Sequence, residues 1–389
     1  MNTSTFSHYD LELFEPKFSS KLTDLIIELE SLRVKELSGS THKQTFFQLK
    51  HLFHTLESIG SSRIEGNNTT IVAYLETKIS SNSIVDHQPN IIEIQNIEHA
   101  IEFIENTIST NPINRAYISE LHKLVVNELQ PAPKGEGDAT PGEYRKNNIK
   151  ILNSSHNPPD FSQVPNYMEE LFSFVNSDTP KKYDLLKVAM AHHRFVWIHP
   201  FRNGNGRTVR LLTYAMLVKF GFNLNIRRII NPTAIFCSDR NVYYDMLAKA
   251  DSGTRQGISE WCEYVLTGLK NEIEKIDKLT DYNFLKDNFL KPAIEYSLKT
   301  KVITDIEFQI LNLTIDKQVI QNVDLEGLFI NKAKSEISRQ IKKLIDKKML
   351  MNETDAKRKY TLRFDNNYLI RGITIMLDKN GFLPIRDEV

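Results

Sequence analysis

HPFRNGNGRTVR, His199 to Arg210, is the stretch that decides how this chain is read. Pro200 disfavours helical geometry in the residue before it, so the apolar-dense helix predicted over Asp184 to Ile198 must end near His199. A second buried helix is predicted from Asn205 to Phe220, with Gly221 as its stop. Gly204-Asn205-Gly206 therefore lies between a helix end and a helix start. Glycines let backbone N–H groups turn inward as an anion nest, and the helix start adds its positive end. Arg207 and Arg210 are three apart and project from one face of that helix. Arginine is the side chain for a two-pronged grip on phosphate. The parts make a cradle for a polyphosphate. His199 stands at its edge, and histidine is the usual general base near neutral pH, here for the proton of an incoming hydroxyl. Asn203 and Asn205 offer oxygens to a divalent cation or hydrogen bonds to phosphate. Phe201 is expected to point inward.

The rest of the composition is that of a soluble globular chain long enough for two or three domains. It has 389 residues, 40% hydrophobic and 25% charged. Forty-nine Lys and Arg balance 49 Asp and Glu. Zero net charge argues against a bulk nucleic-acid coat or a membrane-surface binder but permits a local basic face. Two cysteines, Cys237 and Cys262, make no disulfide framework, which suits a reducing, cytoplasmic setting. MNTSTFSHYDLELF lacks the pattern of a secretory signal. The longest near-apolar run, Leu211 to Val218, is far short of the about 20 residues of a membrane span.

Helical spacing recurs at Phe46 to Leu56, Ile91 to Ile104 and Ile118 to Leu129. Gln130 to Gly142, QPAPKGEGDATPG, reads as a loop. EYRKNNIKILNSSHNPPD then predicts a short hairpin, either a structural element or a docking edge for an extended peptide. After about Lys278 the pattern changes. Three short helices are predicted at Ile306 to Leu313, Val323 to Leu328 and Lys334 to Met349, then two strands in MNETDAKRKYTLRF. This is the order of a winged helix-turn-helix. Its third helix is basic: Lys332, Lys334, Arg339, Lys342, Lys343, Lys347 and Lys348 stand against Glu336 and Asp346. Ile337, Ile341, Leu344 and Ile345 share the other face. The basic face is either a solvated surface, a DNA contact or a protein-docking face.

HPFRNGNGRTVR resembles the signature of the Fic family, HPFx(D/E)GNGRxxR. PGEYRKNNIKI resembles that family's flap, and DRNVYYDMLAKADSG and ISEWCEYVL resemble the segments after the motif helix. The likeness spans about residues 90 to 272. It implies a mainly α fold: an all-helical core with a small β-hairpin flap, followed here by the winged helix-turn-helix. The domains expected are 1–89, 90–275 and 285–389. The activity implied is transfer of AMP from ATP, with Mg²⁺, to a Ser, Thr or Tyr hydroxyl of a target protein. The resemblance makes His199 the base. Gly204, Asn205, Gly206 and Arg207 hold the α- and β-phosphates, and Arg210 holds the γ-phosphate. Tyr244 and Asp251 match positions lining the nucleoside pocket. Ile149, Lys150, Ile151 and Leu152 match the flap strand that docks the target.

One position departs from the family. Asn203 stands where an acidic metal ligand is usual, and an amide oxygen is a weaker ligand for Mg²⁺. SSRIEG fits the family's inhibitory pattern (S/T)xxxE(G/N) as Ser61 and Glu65-Gly66. The resemblance then implies that Glu65 pairs with Arg210 in place of the γ-phosphate, within one chain or across a homodimer. Two other functions fit the same residues: removal of AMP or transfer of another phosphate-containing group, and a DNA-binding regulator whose Fic domain senses or is inactive.

Overall fold

The computed structural model describes residues 6–34, 39–80, 87–151, 154–222, 229–330, 332–354 and 356–383. In chain order its helices begin with α1 (Lys21–Val34), α2 (Lys43–Ile64), α3 (Ile71–Ser80), α4 (Pro89–Thr107) and α5 (Arg115–Val126). There follow α6 (Val164–Asn176), α7 (Asp184–Ile198), α8 (Asn205–Lys219), α9 (Thr233–Cys237), α10 (Arg240–Ala250) and α11 (Arg255–Asp277). The last are α12 (Tyr282–Leu285), α13 (Lys291–Lys299), α14 (Asp305–Lys317), α15 (Lys334–Asp346) and α16 (Ile370–Lys379). Three short strands, β1 (Val319–Ile320), β2 (Leu350–Glu353) and β3 (Ala356–Leu362), complete a mainly α structure. Among the described residues no helix is long and apolar enough to cross a membrane.

The chain divides into two compact units rather than three domains. The first is Met1–Glu36, His54–Asn68 and His87–Glu274; the second is Leu37–Phe53, Thr69–Asp86 and Lys275–Val389. The expected separate region over 1–89 is thus shared out. The reason is that its helices have no core of their own and must bury their apolar faces elsewhere. Leu22, Leu25 and Leu29 of α1 join Ile97, Ile101 and Ile104 of α4 in the first unit's core. In the second unit α3 packs on α16.

The centre of the first unit is the pair α7 and α8. Val196 is the one residue of α7 that is not buried, and in α8 only Gly206 and Lys219 escape. Helices buried on every face make the core, and the polar side chains they carry must find partners inside it. Pro200 stops α7 as expected. Its C-cap His199 takes a left-handed conformation, φ 51° and ψ 63°. α8 ends on Gly221, φ 91°, where the N–H groups of Gly221 and Phe222 close back on Val218 and Leu217.

The expected hairpin is not seen among the described residues, and Leu152 and Asn153 at its turn lie outside them. The described residues from 143 to 160 contain no strand. Side chains take the bonds a second strand would supply. Asn148 Nδ2 donates to Asp160 Oδ2 at 2.7 Å and Asn148 Oδ1 accepts from Phe161 N at 2.8 Å, while Pro158 and Pro159 bring no N–H for a ladder.

In the second unit the order is α14, β1, a 3₁₀ turn over Asn322–Leu328, α15, β2 and β3. β3 lies between β1 and β2, antiparallel to both. The middle predicted helix is thus 3₁₀ rather than α, and β1 was not anticipated. α14 opens on a capping box of Thr304 and Glu307. α15 buries Ile337, Ile341 and Leu344, and leaves Lys342 and Lys343 exposed.

Candidate active site

The loop between α7 and α8 is braced by its own side chains. Asn205 Oδ1 accepts from Phe201 N and its Nδ2 donates to Phe201 O, both at 2.9 Å. Phe201 is fully buried and stacks on His122, with ring centroids 3.7 Å apart and planes 6° from parallel. His122 Nδ1 accepts from Gly142 N at 2.8 Å, and its Nε2 lies 3.0 Å from Asn203 O. Burial pulls His122 down to about 4, so the ring is neutral and donates from Nε2. Gly204 turns the chain at φ 73°, where a Cβ would stand 3.1 Å from Val126. The first N–H groups of α8 point out of the helix's own ladder, as at every helix start.

That opening is filled by a carboxylate. Glu65 Oε1 lies 2.6 Å from Arg210 NH2. Ser61 completes the grip: its Oγ accepts from Arg210 Nε and its carbonyl from NH2, each at 2.8 Å. A Cβ built on Gly206 would stand 2.1 Å from Glu65 Oε1, so only glycine leaves room for the carboxylate on the helix start. Burial alone pushes Glu65 up, but Arg210, Arg207 and Arg240 outweigh it and hold the carboxyl below its usual range. Glu65 in turn raises buried Arg210 against the pull of desolvation. The structure thus brings Ser61, Glu65, Gly204, Gly206 and Arg210 together, and the pair forms within one chain.

Arg207 is placed differently from expectation. It is buried, with NH1 2.9 Å from Glu93 Oε1 and NH2 donating to Glu136 O at 2.7 Å. Glu93 also accepts from Asn67 Nδ2 at 2.8 Å. The side chains of Arg207 and Asn205 therefore brace the cradle instead of facing it. Asn203 likewise turns inward. Its Oδ1 accepts from Gly204 N at 2.8 Å, its Nδ2 donates to Gly137 O at 3.3 Å, and its N–H meets Asp138 Oδ2 at 3.2 Å. Among the described residues no group of three or more His, Cys, Asp or Glu is set to hold a metal. The residues present do not fit a Mg²⁺ held by the protein.

His199 is half-buried beside the cradle. Its Nδ1 lies 3.3 Å from Val196 O, and a proton there leaves Nε2 as the basic nitrogen. Burial brings its pKa down to about 4; Arg145 and His156 add to this, while Val196 O and Glu65 oppose it. Tyr244 is exposed, its hydroxyl taking a bond from Arg240 Nε at 3.2 Å. Asp251 Oδ1 meets His193 Nε2 at 2.9 Å, and Tyr9 OH meets the other ring nitrogen at 3.0 Å. Ile149 and Ile151 are half-buried, Lys150 is exposed, and Leu152 falls outside the described residues. Tyr9, Glu93, His122 and His193 carry no local sequence signal. Each is visible only once the helices are packed.

Residues 112–217 match the Fic/DOC family. The match contains the loop and all of α8 except its last two residues, Val218 and Lys219. The protein adenylyltransferase Fic of Nematostella vectensis is 30% identical over 219 residues, 54% of this chain and 44% of that protein. The protein of the same name from Drosophila yakuba is 31% identical over 218 residues, 54% of this chain and 38% of that one. The chain thus spans less than half the length of these relatives. A solved Fic family protein from Desulfovibrio desulfuricans G20 shares the fold at TM-score 0.54 and 18% identity, over 91% of this chain and 98% of that one. Fic-1 from C. elegans shares it at TM-score 0.50 and 20% identity, over 66% and 71%. The segment that matches this family is thus the one around which the site is assembled.

Proposed function

We propose that the chain is a protein adenylyltransferase that transfers AMP from ATP to a Ser, Thr or Tyr hydroxyl of another protein, and that Glu65 restrains it. The observation that carries this reading is the Glu65 carboxylate on the start of α8, paired with Arg210 beside His199. A helix start lined by arginine and glycine is an anion site, and here an internal anion occupies it. His199 Nε2 takes the proton of the acceptor hydroxyl. The hydroxyl oxygen bonds to the α-phosphorus, the bond from that phosphorus to the bridging oxygen breaks, and pyrophosphate leaves with the electron pair. Arg210, once free of Glu65, holds the γ-phosphate and with it the in-line pose. The name of the relatives supports the reaction class.

The test is labelling of protein by ATP carrying the tracer at the α- or the γ-phosphate, with wild type and Glu65→Gly side by side. Label from the α-position alone means AMP transfer. Label from the γ-position means phosphate transfer, and no label from either leaves a sensing or inactive domain.

For the second unit we infer a winged helix that contacts DNA. Its support is the order α14, β1, 3₁₀ turn, α15, β2, β3 with β3 central, together with the exposed lysines of α15.

A further inference from the structure

Arg145 is a buried residue that stands outside the HPFRNGNGRTVR motif. Its Nε donates to His199 O at 3.0 Å, and NH2 reaches Ile198 O at 3.5 Å. Its backbone N–H donates to Pro200 O at 2.8 Å. One residue therefore answers three successive carbonyls at the end of α7. Those carbonyls lie where a helix has no partners of its own and carries its negative pole. A cation there suits both needs. It also sits under a strained residue: His199 has a left-handed backbone, which a side chain with a Cβ adopts only where its surroundings fix it.

The rest of the guanidinium points the other way. NH1 donates to Asn147 O at 3.1 Å and NH2 to Pro159 O at 2.5 Å. These two carbonyls flank the segment that contains Ile149 to Ile151. A single planar fork thus joins the backbone of His199 to both ends of the segment expected to dock the target. Lysine, one point charge on a flexible stem, cannot make those bonds at once.

We propose that Arg145 is a positioning residue: it ties His199, Asn147 and Pro159 into one piece, so that a hydroxyl delivered beside Ile149 to Ile151 meets His199 Nε2 in register. The inference rests on the AMP-transfer reading for its consequence, but not for its geometry.

The experiment compares Arg145→Lys and Arg145→Gln with the parent in the full-length chain, in the Glu65→Gly background. Three quantities are measured: the kinetics of α-label transfer, the titration of the His199 ring by NMR, and tryptic cleavage after Lys150. Arg145→Lys is expected to lower kcat about 100-fold, the scale of a 1 Å misplacement, with KM for ATP within about twofold. Cleavage after Lys150 quickens in both variants. The charged groups acting on His199 are Arg145, His156 and Glu65. With Glu65 replaced, Arg145→Gln raises the His199 titration, while Arg145→Lys leaves it near the parent's. Unchanged kcat and unchanged cleavage in Arg145→Lys would overturn the proposal. So would equal losses in kcat and ATP affinity, which mark a general loss of structure. If Glu65→Gly itself transfers no α-label, the AMP-transfer reading fails. Cleavage and titration then still decide whether Arg145 is the lock.

Discussion

The chain holds its cations in two contrasting ways. In α8, Arg207 and Arg210 are 1% and 2% exposed, and each is met by carboxylates: Glu93 and Glu136 for the first, Glu65 for the second. In α15, the side chains of Lys334 and Arg339 are 90% and 68% exposed, and their partners Glu326 and Glu336 are exposed and half-buried. Removing one partner of a buried pair leaves a stranded charge and costs about 3–5 kcal/mol. An exposed pair is worth about 0–1 kcal/mol. The same kind of residue is therefore a latch in one region and a replaceable surface group in the other.

The largest effects should come from the latched region. In a Glu65→Gly background, His199→Ala is expected to reduce α-label transfer about 10²–10⁴-fold, the range for loss of a general base. ATP should still raise the thermal midpoint of that double variant, because the cradle is intact. Loss of both together would mean that His199 holds the loop rather than the proton. Glu65→Gly alone is expected to raise labelling about 10–100-fold, the release of a competing charged hydrogen bond worth about 1.5–3 kcal/mol. It also strands Arg210. Stability without nucleotide should fall by a few kcal/mol, less than for a fully enclosed pair because Glu65 is partly exposed. ATP should restore more stability to this variant than to wild type. An equal ATP shift in both proteins would break the latch account.

A smaller effect separates two buried carboxyls. Glu307 of the second unit faces Lys343 at 3.1 Å and Lys347 at 2.7 Å. Burial pushes it up, but the lysines and the N–H of Thr304 prevail and hold it at about 2. Glu57 of the first unit instead receives Thr233 N at 3.0 Å and the Thr233 hydroxyl, neutral donors both. Burial wins there and pushes Glu57 to about 8. Its folded value lies above the unfolded one, so the folded protein keeps a proton that the unfolded chain loses. The stabilisation is complete below about pH 4.3 and is lost as pH rises through about 8. Urea unfolding between pH 5 and 8 should show stability falling by up to about 1.4 kcal/mol per pH unit from this group. Glu57→Gln should flatten that slope; an unchanged slope would show Glu57 to be ionised.

What was legible in advance follows the same division. Pro200, Gly204 and Gly221 act through the backbone of their own neighbours, so both ends of the central helix pair could be read from local sequence. Glu65 and Arg210 were joined by two short motifs 145 residues apart. The roles of Asn205, Arg207 and Asn203 were less legible. Their chemistry permits phosphate or metal contacts, but Phe201, Glu93, Glu136 and Gly137 claim them first, and those claims arise only on packing. Among the described residues of 143–160 the expected strands are not found, for a related reason. Weak alternation and a turn suggested strands, yet Asn148 and Arg145 satisfy that segment through side chains. In the second unit the amphipathic period of α15 was plain, whereas the two-residue β1 is too short to leave a pattern.

The exposed region gives the smallest effect on stability and the sharpest contrast. Among the cations of α15 and its flanks, Lys343 and Lys347 are tied to Glu307, while Lys342 and Lys348 form no ion pair among the described residues. Replacing those two by Glu should move the unfolding free energy by no more than about 0.5 kcal/mol, the usual range for a free surface site. Transfer of α-label should be unchanged, since every residue given a part in it lies at or before Asp251, outside α15. If this face meets duplex DNA, its affinity must fall with salt, because each phosphate met releases a counterion, with a slope of about −0.9 per contact. The double variant should then weaken binding on any sequence and reduce the slope by about two. A gel shift with random duplex at low and at moderate salt reads both quantities. No shift of the wild-type chain at low salt would remove the DNA reading and leave α15 a protein-docking face. A shift that survives the double variant with its slope intact would place the contact elsewhere on the unit, and the exposed lysines would be solvated surface.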